Sequence, residues 1–281
     1  MVPVVDARGG AWWSAPVADT VDTADTAHAA DTADIPAREE FSALLSRVDA
    51  DPAVIGMILS GSRARQGMAT RHSDYDVYLV TADGGPVGEE RRDVLLDVVT
   101  MSLEEFRVHA MPGSGSEWNR YSFVHARVLK DRPDGLIGEL VSAKATLSAH
   151  EAGRTAAAAL DAFVNGVYRW LKNHRDGRAT EARLDAAESI PPLLSCVFAL
   201  CGRVRPYNRY LAWELRNHPL GPPAWHHERL LPLLEGVLSH ADPQDARRLF
   251  LDVEPLARAA GHGPVLDAWG DDLLLLRREP G

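Results

Sequence analysis

The chain has 281 residues, 46% of them hydrophobic and 25% charged, and its formal net charge is −10. This length and composition suit one large or two small globular domains, and the negative charge excludes a broadly basic nucleic-acid-binding surface. There is no secretory signal pattern and no apolar run near the ~18 residues of a membrane span, so we expect a cytoplasmic protein with neither nucleic-acid nor membrane partners.

The N-terminal segment, residues 1–37, is rich in alanine, aspartate and threonine and has little apolar surface. Such a composition predicts a flexible leader, because the segment cannot bury enough surface to fold alone. Trp12 and Trp13 offer the alternative that part of the leader docks onto the body. Apolar residues at helical spacing then predict a helix in "IPAREEFSALLSRVDAD".

A sheet is predicted next, in a domain spanning residues 38–149. Its expected strands are "AVIGMILSGS", "YDVYLVTA", "DVLLDVVTM" and "YSFVHARVLKD", which are apolar and rich in β-branched residues. The segment "SLEEFRVHA" predicts a helix with Ser102 as N-cap and Glu105 completing a capping box. A further helix is expected over "GLIGELVSAKATLSAHE".

Helical patterns alone continue over residues 150–281, so the fold class is α+β: a small mixed-sheet domain followed by an all-helical bundle domain. The two domains would leave a cleft between them, which is a common place for a small-molecule site. Cys196 and Cys201 are the only cysteines. Their spacing within a predicted helix favours two buried thiols over a disulfide.

Three aspartates stand out in the predicted sheet. Asp74 and Asp76 are two residues apart at the entrance of a strand, so their side chains point to the same face. Asp97 lies in an apolar strand, where an isolated carboxylate would be costly. If the two strands are neighbours, Asp97 completes a cluster of three carboxylates, which are the oxygen ligands that Mg²⁺ prefers.

The full pattern is Gly61-Ser62, ten residues, Ser73-Asp74-Tyr75-Asp76, and then Asp97 between apolar residues. It resembles the nucleotidyltransferase superfamily related to DNA polymerase β. The two-domain layout is similar to the antibiotic nucleotidyltransferases, which transfer a nucleoside monophosphate from a triphosphate to a hydroxyl of an aminoglycoside or lincosamide. The resemblance implies two Mg²⁺ ions and ATP or another nucleoside triphosphate as co-substrate.

The resemblance also implies catalytic roles. Asp74, Asp76 and Asp97 would bind metal, and Asp97 would either hold the second ion or take the proton from the acceptor hydroxyl. Some family members use a glutamate of the helical domain as base, and Glu188 is the candidate here, although it fits a surface helix position equally. Lys172 would reach a triphosphate oxygen or, alternatively, lie on a solvated helix face.

Nucleotide-binding residues are expected on both sides of the cleft. The Gly61-Ser62 turn offers backbone N–H groups and a hydroxyl to a phosphate, with Arg63 adding positive charge and Ser73 close by. Tyr207 would line the nucleotide or acceptor pocket, unless it only begins a helix after Pro206.

The sequence therefore predicts Mg²⁺-dependent nucleotidyl transfer to a small hydroxylated acceptor of the aminoglycoside class. Two alternatives remain open: transfer to a protein or tRNA, as in toxin–antitoxin systems, and a non-catalytic nucleotide-binding module. A homodimer is also left open, since the helical half of one chain could complete the cleft of another.

Overall fold

The computed structural model describes residues 35–82, 90–132 and 134–277. Most of the predicted leader therefore lies outside the described residues, and its last three residues already belong to helix α1 (Ile35–Ala50). In the described part of the chain, a mixed β-sheet is followed by a helical region, which confirms the predicted α+β class.

Five strands form one sheet within the described residues, in the order β3-β4-β2-β1-β5. The strands are β1 (Val54–Leu59), β2 (Tyr75–Thr81), β3 (Arg91–Arg92), β4 (Leu96–Ser102) and β5 (Arg127–Asp131). Strands β2 and β4 are parallel, whereas the other neighbouring pairs are antiparallel. The parallel register pairs Asp76 with Asp97, so the two strands are neighbours as the cluster required.

The alternation of side chains along β2 assigns its two faces. Val77 and Leu79 belong to the cluster that packs against α1, and the ring of Phe41 stacks on Tyr75 with centroids 4.1 Å apart. Tyr78 and Val80 point the other way. Because alternate residues share a face, Asp76 lies on the side of Tyr78 and Val80.

The second face of the sheet is covered by α2 (Leu103–Val108) and α3 (Leu136–Ala145). The capping box that opens α2 forms as predicted, with the Ser102 hydroxyl accepting from the Glu105 N–H. Two predictions were wrong in extent. The strand expected from residue 121 begins only at β5, because Glu117–Ser122 form a 3₁₀ turn. The helix expected over 135–151 is divided, because Ser148 caps a new helix.

The helical region consists of two long helices and several shorter ones. They are α4 (Ala149–Arg175), α5 (Ala179–Leu200), α6 (Asn208–Asn217), α7 (His227–His240), α8 (Pro243–Ala259), α9 (Gly263–Asp267) and α10 (Leu273–Arg277). The core of this region includes Trp170, Phe198 and Phe250, all without exposed surface. Cys196 and Cys201 are free thiols, as predicted, the first buried and the second half-buried. None of the helices described is long and apolar enough to span a bilayer.

Helix α6 joins the helical region to the sheet. The Trp213 indole N–H donates to the Gln66 carbonyl at 2.9 Å. One turn of this helix also carries Glu214, which is 1% exposed and accepts from the Tyr121 hydroxyl at 2.6 Å. These contacts fix α6 beside the loop that follows β1, which is the loop containing the Gly-Ser pair.

Candidate active site

The acidic cluster forms where β2 and β4 begin. Asp76 and Asp97 are register partners, and Asp74 precedes β2 by one residue. Burial, followed by the Asp74 and Asp97 carboxylates, raises the pKa of Asp76 to about 6, against the opposing charges of Arg209 and Arg65. The three carboxylates are therefore close enough to repel one another.

The Gly-Ser turn lies directly against this cluster. Gly61 has a φ of +64°, and a Cβ placed on it would lie 1.6 Å from Oδ2 of Asp76. The preceding Ser60 N–H donates to the Asp76 carbonyl at 2.8 Å. Only glycine satisfies both the left-handed backbone and the close approach of the carboxylate. The spacing noticed in the sequence thus corresponds to a direct contact between the turn and β2.

Arg65 holds this turn from the interior. It is 3% exposed, and its guanidinium donates to the carbonyls of Gly61, Tyr121 and Val124. The guanidinium carbon lies 4.9 Å from the ring centroid of Tyr121 and 4.5 Å from that of Tyr210. Arg65 thereby connects the turn to both halves of the molecule.

Arg63, Ser62 and Ser73 support the turn and the entrance of β2. Arg63 donates to the Ser73 carbonyl at 2.7 and 3.2 Å, and its guanidinium lies over the Tyr75 ring at 4.4 Å. Ser62 and Ser73 are both buried, and the Ser73 hydroxyl accepts from the Thr70 N–H at 2.9 Å. A phosphate-binding role for these three residues stays a prediction.

Tyr207 is connected to the sheet through a short polar chain. Its hydroxyl donates to Oδ1 of Asn119 at 3.1 Å, and Nδ2 of Asn119 donates to the Tyr78 hydroxyl at 2.8 Å. Tyr78 follows Asp76 by two residues on the same face of β2. The predicted site residue Tyr207 is therefore near the face that carries the carboxylates.

Glu188 and Lys172 have partners of their own in the helical region. Oε2 of Glu188 lies 3.1 Å from the Arg169 guanidinium, and its side chain is 68% exposed. The Lys172 ammonium lies 5.0 Å from the Tyr168 ring centroid. The structure gives neither residue a contact with Asp74, Asp76 or Asp97, so their catalytic and triphosphate roles stay predictions.

Within the described residues, no three acidic, histidine or cysteine side chains meet closely enough to form a ready-made metal site. The donors at the cluster nevertheless fit a hard divalent cation in their chemistry, because they are carboxylates from three residues. The neighbouring charges that raise the pKa of Asp76 are those that a cation would neutralise. Asp74, Asp76 and Asp97 are thus the residues that could hold a metal.

Two residues of α6 belong to the site but were not singled out from the sequence. Arg209 lowers the pKa of Asp76 through its charge, and Glu214 fixes the helix that carries it. Neither belongs to a short motif. The only signal in the sequence was Glu214, which lies on the apolar side of "YLAWELRNH". A buried carboxylate needs specific partners, so this position pointed to a contact outside the helix.

No protein-family model matches the chain, and no curated protein matches it. Among solved structures, it is similar to a nucleotidyltransferase-like protein from Exiguobacterium sibiricum, with 14% sequence identity and a TM-score of 0.42. The match covers 81% of this chain and 77% of that protein. A likeness this distant does not assign a function, so the chemistry of the site has to be argued from its own residues.

Proposed function

We propose that this protein transfers a nucleoside monophosphate from a nucleoside triphosphate, with ATP as the expected donor, to a hydroxyl of a small molecule. One observation carries the proposal. The Asp76 and Asp97 carboxylates are register partners on parallel strands, beside Asp74 and against the glycine turn at Gly61. This arrangement combines clustered carboxylates with a glycine turn, and turn backbone N–H groups are suited to binding phosphates.

The residues of the chain would have two tasks, which are to stabilise charge on the phosphates and to accept the proton of the acceptor hydroxyl. Mg²⁺ held by Asp74 and Asp76 would supply positive charge to the attacking and leaving oxygens. The Gly61-Ser62 turn would orient the phosphates, and Arg209 would add a cation from the helical region. The acceptor oxygen would form a bond to the α-phosphorus, and pyrophosphate would leave as its own bond to that phosphorus breaks.

Asp97 is our candidate for the base that takes the proton from the acceptor hydroxyl. It lies beside Asp76, with only a long contact of 3.5 Å to Arg92, whose side chain is 84% exposed. Glu188, by contrast, is engaged with Arg169 on the surface. Proton abstraction needs a carboxylate within hydrogen-bond reach of the hydroxyl, which favours Asp97.

The proposal is tested by pyrophosphate release with Mg²⁺, each of the four nucleoside triphosphates, and a panel of hydroxylated acceptors, followed by mass spectrometry. We expect one acceptor to gain the mass of a nucleoside monophosphate. Asp76→Ala and Asp97→Asn should each lower the rate at least about 100-fold, because they remove groups that act in the transition state.

Glu188→Gln is the matched control, since it also neutralises one carboxylate but lies outside the cluster. It should change the rate by less than about twofold. A large loss with Glu188→Gln, together with an active Asp97→Asn variant, would move the base to the helical region. If Asp76→Ala remains fully active, the carboxylate cluster is not the catalytic site.

A further inference from the structure

A cavity of about 1610 Å³ lies where the 3₁₀ turn at Glu117–Ser122 meets the helical region. Its other walls come from the first turns of α4, the second half of α5 and residues 203–208. Its volume exceeds the ~300–1,000 Å³ of ordinary ligand pockets. The cavity therefore has room for a sizeable organic molecule.

One wall of the cavity is apolar. Ala157 and Ala158 of α4 and Pro192 of α5 line it with small side chains that leave space between the helices. Trp118 also lines the cavity and is 72% exposed, which is unusual for so large an aromatic side chain. An exposed indole beside small aliphatic groups is a surface on which a flat apolar group can pack.

The charged lining has more arginines than glutamates. Arg120 and Arg203 are already neutralised, because the first pairs with Glu151 at 2.6 Å and the second with Glu214. The remaining arginines are Arg154 and Arg205, for which the described part of the chain provides no carboxylate partner. Glu117, the remaining acid, has its carboxylate engaged by the Gly113 N–H at 2.6 Å.

Arg205 is a half-buried cation held only by neutral groups. Its guanidinium donates to the Pro191 carbonyl at 3.1 Å, the Ser195 hydroxyl at 3.4 Å and Oδ1 of Asn208 at 3.1 Å. Its Nε is buried without a hydrogen-bond partner, and burial lowers the pKa of the guanidinium. A negative charge placed in the cavity would compensate this cation.

We infer that this cavity binds an amphipathic small molecule that carries an acidic group, with its apolar part on Trp118 and the alanines and its acid near Arg154 and Arg205. The lining opposes a polycation such as an aminoglycoside, because an added cation would meet two arginines without carboxylate partners. Tyr207 lines the cavity but none of the three aspartates does, so binding here can be measured without nucleotidyl transfer.

The test uses the full chain and 8-anilinonaphthalene-1-sulfonate, a fluorescent probe that joins aromatic rings to one sulfonate. We expect saturable binding of one probe molecule. Arg154→Glu should raise the dissociation constant at least about fivefold by reversing a charge, and Ala158→Trp should do the same by covering the apolar wall on which the rings would pack. Both positions are exposed, so both variants should fold.

Matched controls are Arg183→Glu and Ala187→Trp, which make the same changes at exposed positions of α5 outside the lining. Both controls should leave probe binding unchanged. Asp76→Ala should also leave probe binding unchanged, so a failure of this inference can be distinguished from a failure of the proposed transfer. The uncharged analogue N-phenyl-1-naphthylamine should bind more weakly, and kanamycin should not displace the sulfonate probe.

Three results would overturn the inference. The first is the absence of saturable binding, and the second is equal weakening in the cavity variants and their controls. The third is failure of the charge preference, seen either as displacement of the probe by kanamycin or as equal affinity for the uncharged analogue.

Discussion

At the scale of single residues, the contact between Gly61 and Asp76 shows why the turn and the strand must be considered together. The carboxylate occupies the space where any other residue would place its Cβ. Gly61→Ala would therefore either displace Asp76 or shift the turn. We expect a loss of about 2–4 kcal/mol in the free energy of unfolding and a large loss of activity.

Gly67→Ala is the control for this substitution. Gly67 also has a left-handed backbone, with a φ of +75°, but an added Cβ would meet nothing within 4 Å. It should cost only about 1 kcal/mol, the strain of the backbone itself. Urea denaturation of both variants measures the difference, and equal losses would contradict the role of the Asp76 contact.

The raised pKa of Asp76 predicts that the free energy of unfolding depends on pH. Since its pKa is about 6 in the folded chain and 3.8 ordinarily, the folded state binds the extra proton and loses stability as pH rises between those values. Asp76→Asn should therefore stabilise the metal-free protein by about 1–2 kcal/mol near pH 8 and by much less near pH 4.

Thermal unfolding across this pH range, with a chelator present, checks the Asp76→Asn prediction. Added Mg²⁺ should then stabilise the natural chain more than the variant, because the variant lacks one of the carboxylates. A variant that is less stable than the natural chain at every pH would show that Asp76 is stabilised, rather than strained, by its surroundings.

At the scale of elements, helix α6 is attached to the sheet through one buried carboxylate. Burial opposes ionisation of Glu214, but hydrogen bonds from His125 and Tyr121 and the charges of His125 and Arg203 outweigh it and lower its pKa to about 2. All four contributions come from three groups, His125, Tyr121 and Arg203, each of which contacts the Glu214 carboxylate directly.

Glu214→Ala should accordingly destabilise the protein by about 3 kcal/mol near neutral pH, since it leaves the half-buried Arg203 and the buried Tyr121 hydroxyl without their carboxylate partner. The exposed Glu235→Ala should change stability by less than about 0.5 kcal/mol. The stabilisation from Glu214 is present above its ordinary pKa of 4.5 and is lost as pH falls toward 2. The difference in free energy of unfolding between the natural chain and Glu214→Ala, measured by urea denaturation, should therefore become smaller as pH falls. A difference that does not change with pH would contradict this role of Glu214.

The elements also show what periodicity can and cannot predict. The strands with Asp76 and Asp97, and the capped helix after Ser102, were predictable because their signals are local. The 3₁₀ turn at Glu117–Ser122 was not, because its Tyr121 is held by Glu214, a residue 93 positions away. The start of α4 was missed although Ser148 and Glu151 carry the same capping-box pattern as Ser102 and Glu105.

For the candidate site, sequence order predicted the residues of the sheet but not those of the helical region. Asp76 and Asp97 lie on adjacent strands and Asp74 directly precedes one of them, so the side-chain period of two and strand adjacency place the three together. Arg209 and the positions of Glu188 and Lys172 depend on how helices pack over the sheet. That arrangement is set by distributed contacts, which no short motif records.

At the scale of the whole molecule, the helical region contributes charge to a site built on the sheet. Arg209 of α6 is exposed and lowers the pKa of Asp76, so its positive charge reaches the carboxylates from the other half of the chain. The positive charge of Arg209 would also act on a triphosphate bound at the Gly61 turn. We expect Arg209→Gln to weaken MgATP binding about tenfold, because a charge-assisted contact is lost.

Arg216→Gln is the matched control, since Arg216 is exposed on the same helix but is not among the main charges that shift the pKa of Asp76. It should change the affinity by less than about twofold, and titration calorimetry measures both variants. Equal effects would mean that MgATP responds only to net charge. A selective effect of Arg209→Gln would show that both halves of the chain contact the nucleotide. Arg209 can do so only while Glu214 holds α6 in place. Packing of the helical region against the sheet would then be a condition of activity.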